Sequence, residues 1–237
     1  MDQKDEILGF LIKNPISNIN IINFIENYPI HHIEKIGDSV LVKGTSDKEW
    51  IYVSSKSEAE LNTIKYRLDD NDKSFAAIEE WMIPILTKGE KIKWKLSTMK
   101  LILFDETPSD EPKNPVSELT TGDAEFIYEN SVYKDIISTD YIIERITNGI
   151  NSCIRHMGTP IAWGITQDDG ALGFLHVLPE FRKIGYARDV TLDLIKKVRA
   201  ENKIPFVHIR EDNEKSMGLA TGLGFKKDKV ISWFEIE

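Results

Sequence analysis

The sequence predicts a mixed α/β protein. A mostly antiparallel sheet flanked by helices is expected in residues 113–237, preceded by an α+β domain in residues 1–112. Three observations support this. An acidic, proline-rich stretch divides the chain. The part after it reads helix, helix, three antiparallel strands, helix, strand, helix, strand. The glycine fingerprint of a doubly wound dinucleotide fold is missing.

The division falls in DETPSDEPKNPVSE, residues 105–118. Pro108, Pro112 and Pro115 each remove a backbone donor, and the residues between them have nothing apolar to bury. A boundary near residue 113 follows.

The first domain opens with two short amphipathic helices, one lined by Ile7, Leu8, Leu11 and Ile12, the other by Ile19, Ile22 and Ile25. A strand meander follows, with turns at Gly37-Asp38-Ser39 and Thr45-Ser46-Asp47 separating VLV from WIYV. Ser57 and Glu60 form a capping box before a helix carrying Leu61, Ile64 and Leu68. Phe75, Ile78 and Trp81 have helical spacing, and Pro84 is expected to end that helix. Ile92, Trp94 and Leu96, then Met99, Leu101 and Leu103, alternate as strands. His31 and His32 are adjacent, so in an extended segment they point to opposite faces and suit solvent better than a shared metal. This half offers no catalytic constellation.

In the second domain Thr121 and Gly122 open a helix through Ala124, Ile127 and Tyr128, and Asp140 is expected to cap the next, through Ile142, Ile143 and Ile146. Met157-Gly158 and Asp169-Gly170 turn two successive hairpins. A long helix from Gly185 to Ala200, the strand FVHI, a helix from Asn213 to Leu223 and a final strand or hairpin, KVISWFEI, complete the order.

Composition narrows the function. Hydrophobic residues make up 41% and charged residues 29%, an ordinary globular mixture. Thirty Lys plus Arg against 39 Asp plus Glu leave a net charge of -9, which argues against nucleic acid as a partner. Cys153 is the sole cysteine, so neither an internal disulfide nor a cysteine metal site is expected, and no metal is assigned. No apolar run approaches the ~20 residues of a membrane span, and the first residues carry no signal-type apolar stretch. A soluble cytoplasmic protein without a membrane partner is expected.

The chemistry concentrates in FLHVLPEFRKIGYARDV, residues 174–190. Leu175 and Val177 alternate on a strand that Pro179 stops. Arg182, Lys183, Ile184, Gly185, Tyr186 and Ala187 then lead into a helix whose apolar stripe is Ala187, Val190, Leu194 and Val198. The first backbone N–H groups of a helix lack intrahelical acceptors and carry partial positive charge, which a pyrophosphate satisfies. Gly185 and Ala187 leave room for phosphate oxygens to approach, and Arg182, Lys183 and Arg188 add charge. Downstream, Asn213 can cap the last helix, Ser216 lies one turn on, and Gly224 within Leu223-Gly224-Phe225 can end it.

Together these two segments resemble the paired signature motifs of the GNAT acyltransferase superfamily, over residues of about 116–237. Within it, TPIAWGITQDDGALGFLHVLPEFRKIG is similar to the glycine N-acyltransferase-like branch, whose N-terminal half resembles a degenerate acyltransferase fold. The resemblance implies an N-acyltransferase that takes acetyl-CoA or another acyl-CoA as co-substrate and a small-molecule amine as acceptor. Acyl-CoA would lie where the HVL and FVHI strands splay apart. Backbone groups of Leu175, His176 and Val177 would bind pantetheine and the thioester carbonyl. Residues 182–188 would hold the pyrophosphate, with Asn213 and Ser216 supporting it.

The pattern departs from the family where acid–base chemistry belongs. Many relatives carry a glutamate base at the position of Ala171 and a tyrosine acid at that of Ala220. His176 and Ser216 are the catalytic substitutes offered here. His176 has the opposite strand parity to Ala171, and a histidine on such a strand also serves as a packing group. His208, on the neighbouring strand, is weighed alike. Tyr133, Asp135 and Tyr141 fall where the family forms its acceptor pocket. Beside the enzyme stand two other readings, an acyl-CoA-binding pseudo-enzyme with a regulatory task and a site for another phosphate ligand such as a nucleotide.

Overall fold

Two short helices open the chain, α1 (Gln3–Leu11) and α2 (Pro15–Asn27). Ile7, Leu11, Ile19, Ile22 and Ile25 are buried, whereas Ile12 lies just past the end of α1 and is exposed. The computed structural model describes residues 3–104, 110–131, 134 and 137–237. The chain forms two compact units, Met1–Lys100 with Arg210–Asp212 and Asp228–Glu237, and Leu101–Ile209 with Asn213–Lys227.

After α2 come β1 (Ile30–Ile36), β2 (Ser39–Thr45), β3 (Glu49–Ser54), α3 (Glu58–Lys65), β4 (Ser74–Glu79), the single-turn α4 (Ile83–Leu86) and β5 (Ile92–Ile102). In the second half follow α5 (Ala124–Glu129), α6 (Thr139–Asn148), β6 (Asn151–His156), β7 (Thr159–Thr166), β8 (Leu172–Val177), α7 (Tyr186–Ala200), β9 (Phe206–Ile209), α8 (Glu214–Gly222) and β10 (Lys226–Ile236). The first unit orders its strands β1-β2-β3-β4-β10-β5, and the second β9-β8-β7-β6. Each is a mixed, mostly antiparallel sheet flanked by helices. In each, the third strand of an antiparallel meander pairs in parallel with the next strand, Ile51 with Phe75 and Leu172 with Val207.

Several local expectations change. Phe75 and Ile78 lie on β4, not on a helix, because Phe75 stacks on Phe234 of β10 at 4.7 Å and Ile78 pairs with Ser232. Spacing of three fits a helical turn, but the cross-strand partners decide. Pro84 accordingly sits in the first turn of α4, where its missing N–H costs nothing, rather than ending a helix. The two expected runs after it are one strand, β5. Ser57 does cap α3, accepting from the Glu60 N–H at 3.3 Å, but the Glu60 carboxylate does not return to it. It accepts instead from Asp38 N–H at 3.1 Å and Ser39 Oγ at 2.6 Å. Ser138, not Asp140, caps α6, accepting from Tyr141 N–H at 3.1 Å.

In the second unit, α7 buries Val190, Leu194, Ile195 and Val198. Burying each such side chain stabilises by about 1.5–3 kcal/mol, an upper estimate. The helix lies close over β7 because residue 164 is glycine. A Cβ there would meet Leu194 Cδ1 at 2.8 Å and Val190 Cγ1 at 3.2 Å, so Gly164→Ala would force these side chains of α7 to shift. Asn114 and Ser117, in the described part of the proline-rich segment, also pack within this unit. Asn114 gives its N–H and Nδ2 to the buried Asp189 carboxylate on α7, at 3.1 and 2.6 Å. Ser117 bridges to Cys153 of β6.

Candidate active site

Pro179 stops β8, and a short 3-10 turn, Pro179–Phe181, carries the chain towards α7. Lys183 then adopts φ +66° and Gly185 φ +98°. Glycine is required at 185 by the backbone itself, since that φ is unfavourable for any residue with a Cβ. An added Cβ would otherwise meet open space. No described side chain caps α7. The N–H groups of Tyr186, Ala187 and Arg188 form its first turn and have no intrahelical acceptor, so an anion suits them. The first-turn acid, Asp189, does not compete, because it is buried and held by Asn114.

The strand before this turn has an open edge. β8 and β9 pair at Leu172↔Val207 and at no later described position. Leu175, beyond that point, is 37% exposed on a strand whose other residues are half-buried or buried. Phe174 has φ +49°, and the register of β8 against β7 shifts between Trp163 and Ile165. This bulge breaks the strict alternation assumed from the sequence. Arg182 turns its side chain back to the strand, donating from Nε to the Val177 carbonyl at 2.8 Å, which ties the turn to the end of β8.

His176 stacks on Trp163 of β7 with ring centroids 4.7 Å apart, and Trp163 meets Phe126 of α5 edge-on at 6.1 Å. Burial, and then the positive charge of Arg182, hold the His176 pKa below its ordinary value of 6.5. The imidazole is therefore neutral at pH 7. Tyr141 on α6 packs its ring against Phe174 at 5.9 Å.

The structure thus gathers Leu175, His176, Val177 and residues 182–188 along β8 and its turn into α7. Asn213 and Ser216 lie at the start of α8, where the Asn213 side chain accepts from Ser216 N–H at 3.1 Å. Arg188 forms an ion pair with Asp110. Tyr133 and Asp135 lie outside the described residues. Ala171 and Ala220 are both buried methyl groups.

Sequence reading missed a buried pair. Asp169, read as a turn residue, holds His208 Nε2 at 3.0 Å, with side-chain exposures of 1% and 4%. Its second oxygen accepts from Ala171 N–H at 3.1 Å. The pair joins the β7–β8 turn to β9 beside the last paired position. Only the parallel pairing of β8 with β9 brings these residues together, so no local signal announced it.

Residues 149–234 match the family model described as FR47-like protein. The chain is also similar to solved structures. A Drosophila protein superposes with a TM-score of 0.78 at 15% identity, covering 99% of this chain and 96% of its own. A GCN5-related N-acetyltransferase from Kribbella flavida gives 0.59 at 13%, covering 93% and 94%. A GCN5-related N-acetyltransferase-like protein from Streptococcus suis gives 0.56 at 14%, covering 99% of both chains. The fold is the GNAT fold. An uncapped helix start after a bulged strand with an open edge fits an acyl-CoA on this GNAT scaffold: anion donors at one end, unpaired strand edge along its length. Among the described residues no helix is long and apolar enough to cross a membrane.

Proposed function

We propose that this protein is an acyl-CoA-dependent N-acyltransferase that moves an acyl group, preferably acetyl, to a primary amine by direct attack in a ternary complex. The observation that carries the reading is the start of α7, uncapped and shaped by Lys183 and Gly185 with positive φ. Residues 182–188 hold the pyrophosphate on backbone N–H groups, and the open edge of Leu175, His176 and Val177 binds the pantetheine arm. A backbone N–H there stabilises the charge that develops on the thioester oxygen. Neutral His176 takes one proton from the acceptor ammonium. The amine nitrogen then bonds to the thioester carbon as the carbon–sulfur bond breaks. The nitrogen's remaining extra proton passes to the departing sulfur, which the Ser216 hydroxyl steadies. Asn213 supports the co-substrate from the start of α8.

Buried Ala171 and Ala220 favour one alternative, an acyl-CoA-binding module without turnover. Calorimetry with acetyl-CoA, paired with thiol release across an amine panel, separates the two. The parent should bind with a Kd of about micromolar order, Gly185→Trp should abolish the heat, and thiol release should follow an amine. Binding without release from any amine would favour the module. No heat from the folded parent would sink both.

A further inference from the structure

Gly164 lies under Leu194 and Val190 of α7, while its neighbour Trp163 meets Phe126 of α5. Adjacent strand residues face opposite ways, so the ring of Trp163 belongs to the α5–α6 face of the sheet, opposite α7. His176 stacks on Trp163 and therefore shares that face, and Phe174 joins it through Tyr141 of α6. Three rings that are only partly buried, Tyr141, Phe174 and His176, thus stand over a fully buried Trp163 floor. They line the strand that carries the open edge.

The bulge bears on this arrangement. An aromatic residue with φ +49° costs of order 1 kcal/mol, and such strain gathers at binding sites. Here it accompanies the placement of Phe174 against α6. Of the described carboxylates on and beside α5 and α6, Asp123 is committed to Arg155, Glu125 to Thr139, Glu129 to Lys134 and Glu144 to Arg145, while Asp140 is exposed in the first turn of α6. What this face offers an amine is ring surface, which receives a flat apolar body and attracts an ammonium through its π-face.

From this geometry we infer that the acceptor is a primary amine on an aromatic body, an arylalkylamine, whose ring lies against the Tyr141–Phe174 pair with its nitrogen towards His176. The inference rests on the acyltransferase reading above. It disfavours glycine and polyamines, which have no ring to bury.

The test uses the full chain with 2-phenylethylamine, glycine and spermidine as probes. Thiol release at saturating acetyl-CoA should show kcat/KM for phenylethylamine above the other two by about ten-fold or more. Tyr141→Ala should remove most of that preference through KM, and Tyr141→Phe should retain it. The acetyl-CoA heat and the thermal melt of both variants check that each is folded. Saturation-transfer NMR reads phenylethylamine binding without turnover, and Tyr141→Ala should weaken that signal too. Acetyl-CoA binding combined with a preference for glycine or spermidine would overturn this inference and leave the acyltransferase standing. Absence of acetyl-CoA binding would remove the acyltransferase, with the NMR signal still deciding whether the ring face holds an arylalkylamine. A parent that shows no amine signal refutes that binding in either case.

Discussion

In the N-terminal unit β3 hands over to α3 through residues 55–57; in the C-terminal unit β8 hands over to α7 through residues 178–185. Both halves of the chain run helix, helix, three strands, helix, strand, helix, strand, so the two turns occupy the same place in the element order. Their chemistry is opposite. The start of α3 is filled by the protein's own groups: Ser57 caps it, and Glu58 and Glu60 put negative charge in its first turn. The Glu60 carboxylate is itself held by Ser39 Oγ and then by Asp38 N–H, which lowers its pKa. The start of α7 has no side-chain cap and two residues with positive φ, and its first-turn acid is buried on Asn114. One helix start is satisfied by the protein's own groups; the other has no side-chain cap, and it is there that the proposed acyl-CoA would bind. The same place in an element order does not make the same site; the difference lies in which group occupies the helix N-terminus.

The comparison breaks most sharply on ligand binding. Gly185→Trp should weaken acetyl-CoA binding by about 100-fold or more, since the side chain demands a different φ and fills the anion's approach. Ser57→Ala at the matching place should leave the same calorimetric heat unchanged while lowering stability by about 1 kcal/mol, read by urea unfolding. Equal losses of binding from both would mean that the two turns do not differ as described.

A smaller effect concerns Lys100, which is 1% exposed and pairs with Asp228 at 3.0 Å, donating also to the Ile16 carbonyl at 3.2 Å. Burial lowers its pKa, with Asp228 opposing that shift. Lys100→Ala should destabilise the chain by about 2–4 kcal/mol, because it leaves Asp228 without its partner and opens a cavity. An unchanged urea midpoint would show that the pair does not help hold the N-terminal unit.

The smallest effect is a pH dependence. The hydrogen bond from Lys93, assisted by Trp94 and Lys48, lowers the Glu235 pKa from 4.5 to about 2. The folded value is depressed, so its stabilisation is full above 4.5 and is lost as pH falls towards 2. Allowing for solvent screening, this amounts to roughly 1–2 kcal/mol. Glu235→Gln should flatten the acid limb of the stability curve over that window. An acid limb identical to the parent's would remove Glu235 as its source.

Features legible in the sequence are those whose physics is local. The hairpin at Met157-Gly158 has both residues at positive φ. Asn213 caps α8 as expected, and Gly224 follows its end with φ +94°. The turn at 182–187 could be read because a glycine before an amphipathic stripe, with cations around it, is a contiguous signal. Tertiary structure decided whatever depends on a distant partner. Phe75 and Ile78 became a strand because β10, more than 150 residues away, supplies their neighbours. Glu60 left its own capping box because Asp38 and Ser39 came within reach. The Phe174 bulge, the His176–Trp163 stack and the buried Asp169–His208 pair all arise from β8 lying between β7 and β9. A backbone turn is decided by the few residues that form it, whereas a cross-strand contact is decided by which strands the folded chain places side by side.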